Sequence, residues 1–149
     1  SMMGRLDCSP DWLFDKMVDC GCKAMRFGVE SFNVDVLKKI NKQLEKTDFK
    51  ATLERLTKKY PELYIHICMM KNIPNQTEEI HQEDMKIVEE LGFMSGSKYR
   101  SYQLGSCTPF PGTPLYKELL KKYGEDVMNN WQLYDGTKKN IMYEIAEIK

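Results

Sequence analysis

The stretch Leu63-Tyr64-Ile65-His66-Ile67-Cys68-Met69-Met70 decides how this chain folds. It is the clearest strand in the sequence, and it reads as apolar on both faces, as a buried parallel strand should. Helical patterns flank it. Upstream, Phe49, Leu53 and Leu56 fall on one helical stripe that opens after Thr47 or Asp48, with Pro61 beyond its end. Downstream, Thr77 opens a helix with Ile80, Ile87, Val88 and Leu91 inward and Gly92 at its end. The same alternation continues outward. Ser9-Pro10 reads as an N-cap and first helical position, Leu13, Phe14, Met17 and Val18 form a stripe, and Gly21 stops it. Ala24 to Val29 is a short strand, and Asn33 caps a helix carrying Val36, Leu37 and Ile40. Tyr99 to Ser106 is a third, more polar strand, followed by a Thr113-Pro114 helix start and a stop at Gly124. In the tail, Ile141, Ile145 and Ile148 suit a helical stripe, whereas Ile141, Tyr143 and Ile145 suit a strand.

Strand–helix alternation predicts an α/β fold with a parallel sheet. Three βα units in this length make an arc and not a closed barrel, which takes ~250 residues. The expected architecture is therefore a partial (β/α) barrel over residues 4–124, with a C-terminal extension over 125–149. Ile67, Met69, His66 and Tyr102 are candidates for the uncovered face that would line a barrel interior. Ser1-Met2 reads as the remnant of a cleaved tag and is left out of the fold.

Composition limits the function. The chain has 149 residues, 42% hydrophobic and 30% charged, as a globular domain does. Lys plus Arg and Asp plus Glu are both 22, so the formal net charge is zero. Nucleic acids and anionic membranes recruit basic proteins, and neither is supported. No apolar run approaches a membrane span and no signal peptide opens the chain, so a cytoplasmic setting is expected. Five cysteines, at 8, 20, 22, 68 and 107, form no disulfide framework, in keeping with a reducing compartment. Cys20-Gly21-Cys22 lacks metal-ligand spacing, and two histidines make a His-rich zinc site improbable on numbers alone. His66 reads as a satisfied core histidine and His81 as solvated. The ten methionines fill core gaps.

Ligands of βα folds bind at the C-terminal ends of strands. That rule selects three stretches. In Gly28-Val29-Glu30-Ser31, Glu30 either accepts from a ribose diol or an ammonium group, or caps the next helix. Met70 to Thr77 is polar and leads to a helix N-terminus, whose free N–H groups attract anions; it also reads as an ordinary turn. Ser106 to Pro114 is stiffened by Pro109, Pro111 and Pro114, whether or not it binds anything. Trp131 and Tyr134-Asp135-Gly136 read either as a plug at the sheet's end or as a surface turn.

Three motifs taken together carry a family resemblance. They are Phe27-Gly28-Val29-Glu30-Ser31 with Val36-Leu37-Lys38-Lys39-Ile40, then Ile73-Pro74-Asn75-Gln76-Thr77-Glu78-Glu79, then Thr108-Pro109-Phe110-Pro111-Gly112-Thr113-Pro114-Leu115-Tyr116. In this order they resemble the later half of a radical S-adenosylmethionine (SAM) barrel. The likeness runs over residues 4–122 and is nearest to enzymes often fused to a cobalamin-binding domain, a group that includes methylthiotransferases. The resemblance implies a parent enzyme that cleaves SAM reductively at a 4Fe–4S cluster to a 5′-deoxyadenosyl radical, with cobalamin a further cofactor of the group. It implies cofactor contacts at Glu30 and Ser31 near the ribose, at Ile67, Met69 and Asn72 near the adenine, and at Leu104 and Thr108 on the substrate side.

The chain also departs from the family. The C-x-x-x-C-x-x-C cluster motif is absent, as are the early strands and the glycine-rich motif that holds the cofactor's amino group. Where the family has Gly-Leu-Pro-Gly, this chain has Asn72-Ile73-Pro74-Asn75, which bears on that loop's backbone geometry. Arg5-Leu6-Asp7 resembles the end of the barrel's third strand. The expectation is a fragment of a radical SAM enzyme that has no catalytic or metal-ligating residue of its own, binds none of these cofactors alone, and lacks an N-terminal half-barrel partner. An apolar open face would also favour a homodimer. The alternative is a non-catalytic nucleoside-binding or interaction module that completes a barrel with a partner.

Overall fold

The computed structural model describes residues 1–6, 9–40, 48–134, 140–142 and 145. The elements run β1 (Met2–Gly4), α1 (Asp11–Asp19), β2 (Ala24–Glu30), α2 (Val34–Lys39), α3 (Phe49–Lys59), β3 (Tyr64–Lys71), α4 (Glu78–Glu90), β4 (Arg100–Ser106), α5 (Pro114–Tyr123) and α6 (Glu125–Met128). The strands form one open, all-parallel sheet in the order β1-β2-β3-β4. The sheet thus has one more strand than expected. The added strand, β1, includes Met2, which had been set aside as a tag remnant, and it precedes Arg5-Leu6-Asp7. Met2, Met3 and Gly4 lie opposite Met25, Arg26 and Phe27.

Helix starts follow local chemistry. The side chains of Asn33, Asp48, Thr77 and Thr113 each accept a hydrogen bond from a backbone N–H in the first turn of α2, α3, α4 and α5. At α1 the N-cap is Pro10 and not Ser9, so this helix starts without a side-chain cap. Gly21 ends α1 at φ 92°, with Cys22 N donating to Met17 O across the turn.

By contacts within the chain there are two compact units, Ser1–Met70 with Pro74–Leu104, and Lys71–Ile73 with Gly105–Lys149. α5 lies in the same unit as the tail. In the first unit, burial alternates along β2 and β3. Met25, Phe27 and Val29, with Ile65, Ile67 and Met69, are buried in one core with Phe14 of α1, Leu37 of α2, Leu53 and Leu56 of α3 and Val88 of α4. Phe14 meets Phe27 edge to face at 5.5 Å between ring centroids. In the second unit Leu119, Met128, Ile141 and Ile145 form a separate core. Ile141 and Ile145 are helical, the first of the two readings of the tail; Tyr143 and Ile148 lie outside the described residues.

The other face of β2 and β3 is half-exposed, and it carries His66 as expected but not Ile67 or Met69. Ile67 and Met69 belong to the helix-side core. Arg26, Tyr64 and His66 occupy the open face and bond to β4: Arg26 Nη2 donates to Gln103 Oε1 at 2.8 Å, and Ser101 Oγ lies 2.6 Å from Tyr64 Oη and 2.7 Å from His66 Nδ1. Tyr102, between Ser101 and Gln103, faces the opposite way.

An ion-pair cluster ties α1 to α3. Asp15 accepts from Arg55 Nη1 at 2.9 Å, Lys59 Nζ at 2.8 Å and Tyr60 Oη at 3.0 Å. Arg55 Nε lies 3.0 Å from Asp11 Oδ2, close enough to pair but out of hydrogen-bond alignment. The bonds from Lys59, and next from Arg55, hold the Asp15 carboxyl well below the usual carboxylate range. A depressed folded-state value stabilises the fold above the unfolded-chain value of 3.8, and the contribution fades as pH falls through the folded-state value. Asp15→Asn is therefore expected to lower the thermal midpoint at neutral pH by about 2–4 °C. Calorimetry across pH should show the gap to wild type constant down to about pH 5 and narrowing below about pH 4.

Candidate functional site

The end of β2 is where the backbone departs most from ordinary strand geometry. Gly28 lies opposite Cys68, but the next pair is Glu30 with Met69, so β2 carries one extra residue. Glu30 has φ 69°, and Ser31 N donates to Val29 O at 2.9 Å. These two facts define a γ-turn centred on Glu30, in the positive-φ form that is strained for any residue with a Cβ. The turn leaves Glu30 half-exposed at the C-terminal end of its strand.

A buried carboxylate holds this turn. Asp84, on α4, is 2% exposed. Its Oδ2 accepts from Ser31 Oγ at 2.6 Å and Gln76 Nε2 at 3.1 Å, and its Oδ1 accepts from Phe32 N at 2.7 Å. Ser31 Oγ accepts in turn from Asn33 N at 3.1 Å, and Gln76 Nε2 also donates to Met70 O at 3.2 Å. One side chain thereby links the end of β2, the start of α2 and the loop before α4. The fully buried Ser31 hydroxyl, expected to meet a cofactor, is spent on Asp84 and Asn33. Asp84 itself escaped the sequence reading. Its trace there is a carboxylate at position 84 within the stripe of Ile80, Ile87, Val88 and Leu91.

Of the remaining expected cofactor contacts in this unit, the side chains of Ile67 and Met69 are core, and Leu104 is half-buried against that core. Glu30 is half-exposed. His66 is not a fully satisfied core residue: Nδ1 bonds to Ser101, while Nε2 is enclosed without a partner among the described residues. Burial, and then the nearby Arg26 charge, lower its pKa. His81 is half-buried with an enclosed Nδ1, and not simply solvated.

In the second unit, Asn72 Nδ2 donates to Ser106 Oγ at 2.8 Å, and Cys107 N donates to Lys71 O at 2.8 Å. Thr108 Oγ1 donates to Ser106 O at 3.2 Å, and the fully buried Asn140 donates to Cys107 O at 3.2 Å. Asn72 and Thr108 therefore share one hydrogen-bonded strand-end cluster. Asn72 and Asn75 have φ 60° and 69°. Asparagine is the non-glycine residue that best tolerates this region, so the left-handed backbone at both ends of Asn72-Ile73-Pro74-Asn75 persists without glycine. Trp131 is exposed and stacks on Tyr116 at 6.5 Å; Asp135 and Gly136 lie outside the described residues.

Among the described residues no three His, Cys, Asp or Glu side chains are grouped to hold a metal ion. Cys20, Cys22, Cys68 and Cys107 are free thiols, and Cys8 lies outside the described residues. These side chains do not fit an iron–sulfur cluster. No described helix is long and apolar enough to cross a membrane.

No protein-family model matches the chain. It is distantly similar, over most of its length, to tRNA-2-methylthio-N(6)-dimethylallyladenosine synthases. It is 27% identical over 126 residues to that of Thermotoga petrophila, covering 84% of this chain and 27% of the relative. With that of Flavobacterium johnsoniae it is 26% identical over 128 residues, covering 86% and 23%. With that of Clostridium novyi it is 26% identical over 87 residues, covering 57% and 19%. The chain spans roughly a fifth to a quarter of the length of these relatives.

Asp84→Ala strands the Ser31 hydroxyl and the Phe32 N–H in a buried site, and is expected to cost about 3 kcal/mol in urea unfolding. Asn72→Gly, which suits a left-handed backbone but forfeits the bond to Ser106, is expected to cost about 1 kcal/mol or less.

Proposed function

We propose that this chain is the later half of the barrel of a radical SAM enzyme of the methylthio-forming kind, and that it does not carry out radical chemistry alone. The observation that carries the reading is the similarity over 126 residues to a synthase whose name records a methylthio product. The sheet supports it. Parallel strands in sequential order, with the helices' apolar side chains packed on one face, are the arrangement that a (β/α)-barrel wall requires. The relatives' name favours the methylthio branch over the cobalamin-fused one, so cobalamin forms no part of the proposal.

When present, SAM and a 4Fe–4S cluster supply the radical; the described residues offer no ligands for that cluster, and no step is assigned to them through it. What they offer is a strand-end carboxylate. Glu30 sits where ligands of βα folds bind, on a strained turn braced by Asp84. A carboxylate there suits the two hydroxyls of a ribose, accepting from both. Ser31 and Asp84 act as positioning residues behind it.

The native coding sequence upstream of Met3 provides the first test. A C-x-x-x-C-x-x-C motif is expected within roughly half a barrel's length, ~125 residues; its absence overturns the proposal. In the complete enzyme the informative variant is Glu30→Gly and not Glu30→Ala, because alanine keeps the positive-φ strain while glycine relieves it. Glu30→Gly should weaken SAM binding about tenfold, as expected for a lost charge-assisted hydrogen bond, without lowering the thermal midpoint. Unchanged SAM affinity would remove Glu30 from the cofactor site.

A further inference from the structure

The N-terminal ends of the strands, opposite the Glu30 turn, border a cavity of about 730 Å³. That volume is typical of small-molecule sites. Tyr60, Tyr64 and Tyr99 stand in its wall together with Lys23, Lys59, Lys98 and Glu62. The backbone explains why residues so far apart in sequence converge. Tyr64 N donates to Lys23 O at 3.0 Å, and Ile65 N donates to Tyr99 O at 2.9 Å. Lys23 and the Lys98-Tyr99 pair therefore flank the start of β3. Neighbouring strands lie about 4.8 Å apart, which sets the two lysines roughly 10 Å apart at the backbone. Lys59 is already committed: it closes the last turn of α3 and pairs with Asp15 at 2.8 Å. Lys23 and Lys98 are exposed, lie outside the helices, and have no ion-pair partner among the described residues. Against their two ammonium groups the wall sets one carboxylate, Glu62.

We propose that this cavity binds a phosphate monoester carried on an aromatic body, with Lys23 and Lys98 holding the phosphate and the tyrosine rings receiving the body. A lysine is a point charge with three donors on a flexible four-carbon stem, so two that flank one strand can close on a single group between them. A phosphate monoester carries close to two negative charges at neutral pH, one for each ammonium. Lys98 Nζ lies 5.3 Å from the centroid of the Tyr99 ring, which sets a cation beside an aromatic wall. The hydroxyls of Tyr60 and Tyr64 are bonded to Asp15 and Ser101, which holds those two rings in place. Rings held in this way offer an aromatic ligand a surface that needs no reordering. The cavity lies at the end of the strands remote from Glu30 and does not rest on the SAM reading.

The test is a calorimetric titration of the 149-residue protein with phenyl phosphate at neutral pH and constant ionic strength. Saturable binding is expected, with a Kd on the order of 0.1–1 mM. Lys23→Ala and Lys98→Ala should each weaken it about tenfold, as expected for a lost hydrogen bond between charged groups. Both side chains are exposed, so neither change disturbs the core. Lys58→Ala removes an exposed lysine of α3 that is not in the wall, and should leave the affinity unchanged. Absence of saturable binding overturns the proposal. So does an equal loss in Lys58→Ala, which would make the attraction one of general charge. Equal affinity for phenol would remove the phosphate from the site, and equal affinity for inorganic phosphate would remove the aromatic body; either result overturns the proposal as well.

Discussion

A parallel strand cannot return to its neighbour through a tight turn; it needs a crossover, and crossovers of one hand place their helices on one face. With strands in the order β1-β2-β3-β4, that constraint governs the rest of the first unit. Phe14, Leu37, Leu53, Leu56 and Val88 all pack on the face carrying Met25, Phe27, Val29, Ile65, Ile67 and Met69. Two consequences follow. The C-terminal ends of the strands lie together at one edge, where loops with unusual backbone are tolerated. On the opposite face of β2 and β3, polar side chains bond to one another across the strands.

The strand-end edge shows how a strained turn is kept. Glu30 at φ 69° would relax toward ordinary extended backbone if nothing opposed it. Asp84 opposes it by binding the Ser31 hydroxyl and the Phe32 N–H from an element far away in sequence. Removing this carboxylate from water is costly, and the hydrogen bonds it accepts offset that cost only while the turn keeps its shape. Turn and carboxylate are therefore interdependent. At Asn72 and Asn75 the same backbone requirement is met more simply, by residue type.

The open face makes the opposite use of polar groups. Arg26, Tyr64, His66, Ser101 and Gln103 bond across β2, β3 and β4, and among the described residues one enclosed nitrogen of Arg26 and one of His66 have no partner. Such a face resists the indiscriminate pairing that an apolar surface invites.

Much of this was legible in the sequence. The parallel α/β class followed from alternating periods, and the caps at Asn33, Asp48, Thr77 and Thr113 followed from side chains that bond to the adjacent backbone, an interaction that needs no tertiary context. The strand-end location of Glu30, Asn72 and Thr108 was legible for the same local reasons. Which face of β3 is buried was not, because His66, Cys68 and Met70 are nearly as compatible with burial as Ile65, Ile67 and Met69; helix packing made the choice. Nor were Asp84 as the brace of the Glu30 turn, the pairing of β1, or the juxtaposition of Arg26 with His66. Each depends on residues tens of positions apart meeting across strands or between helix and loop. Only the folded chain brings such contacts about, because their energy comes from burial and hydrogen bonding that no local stretch can supply.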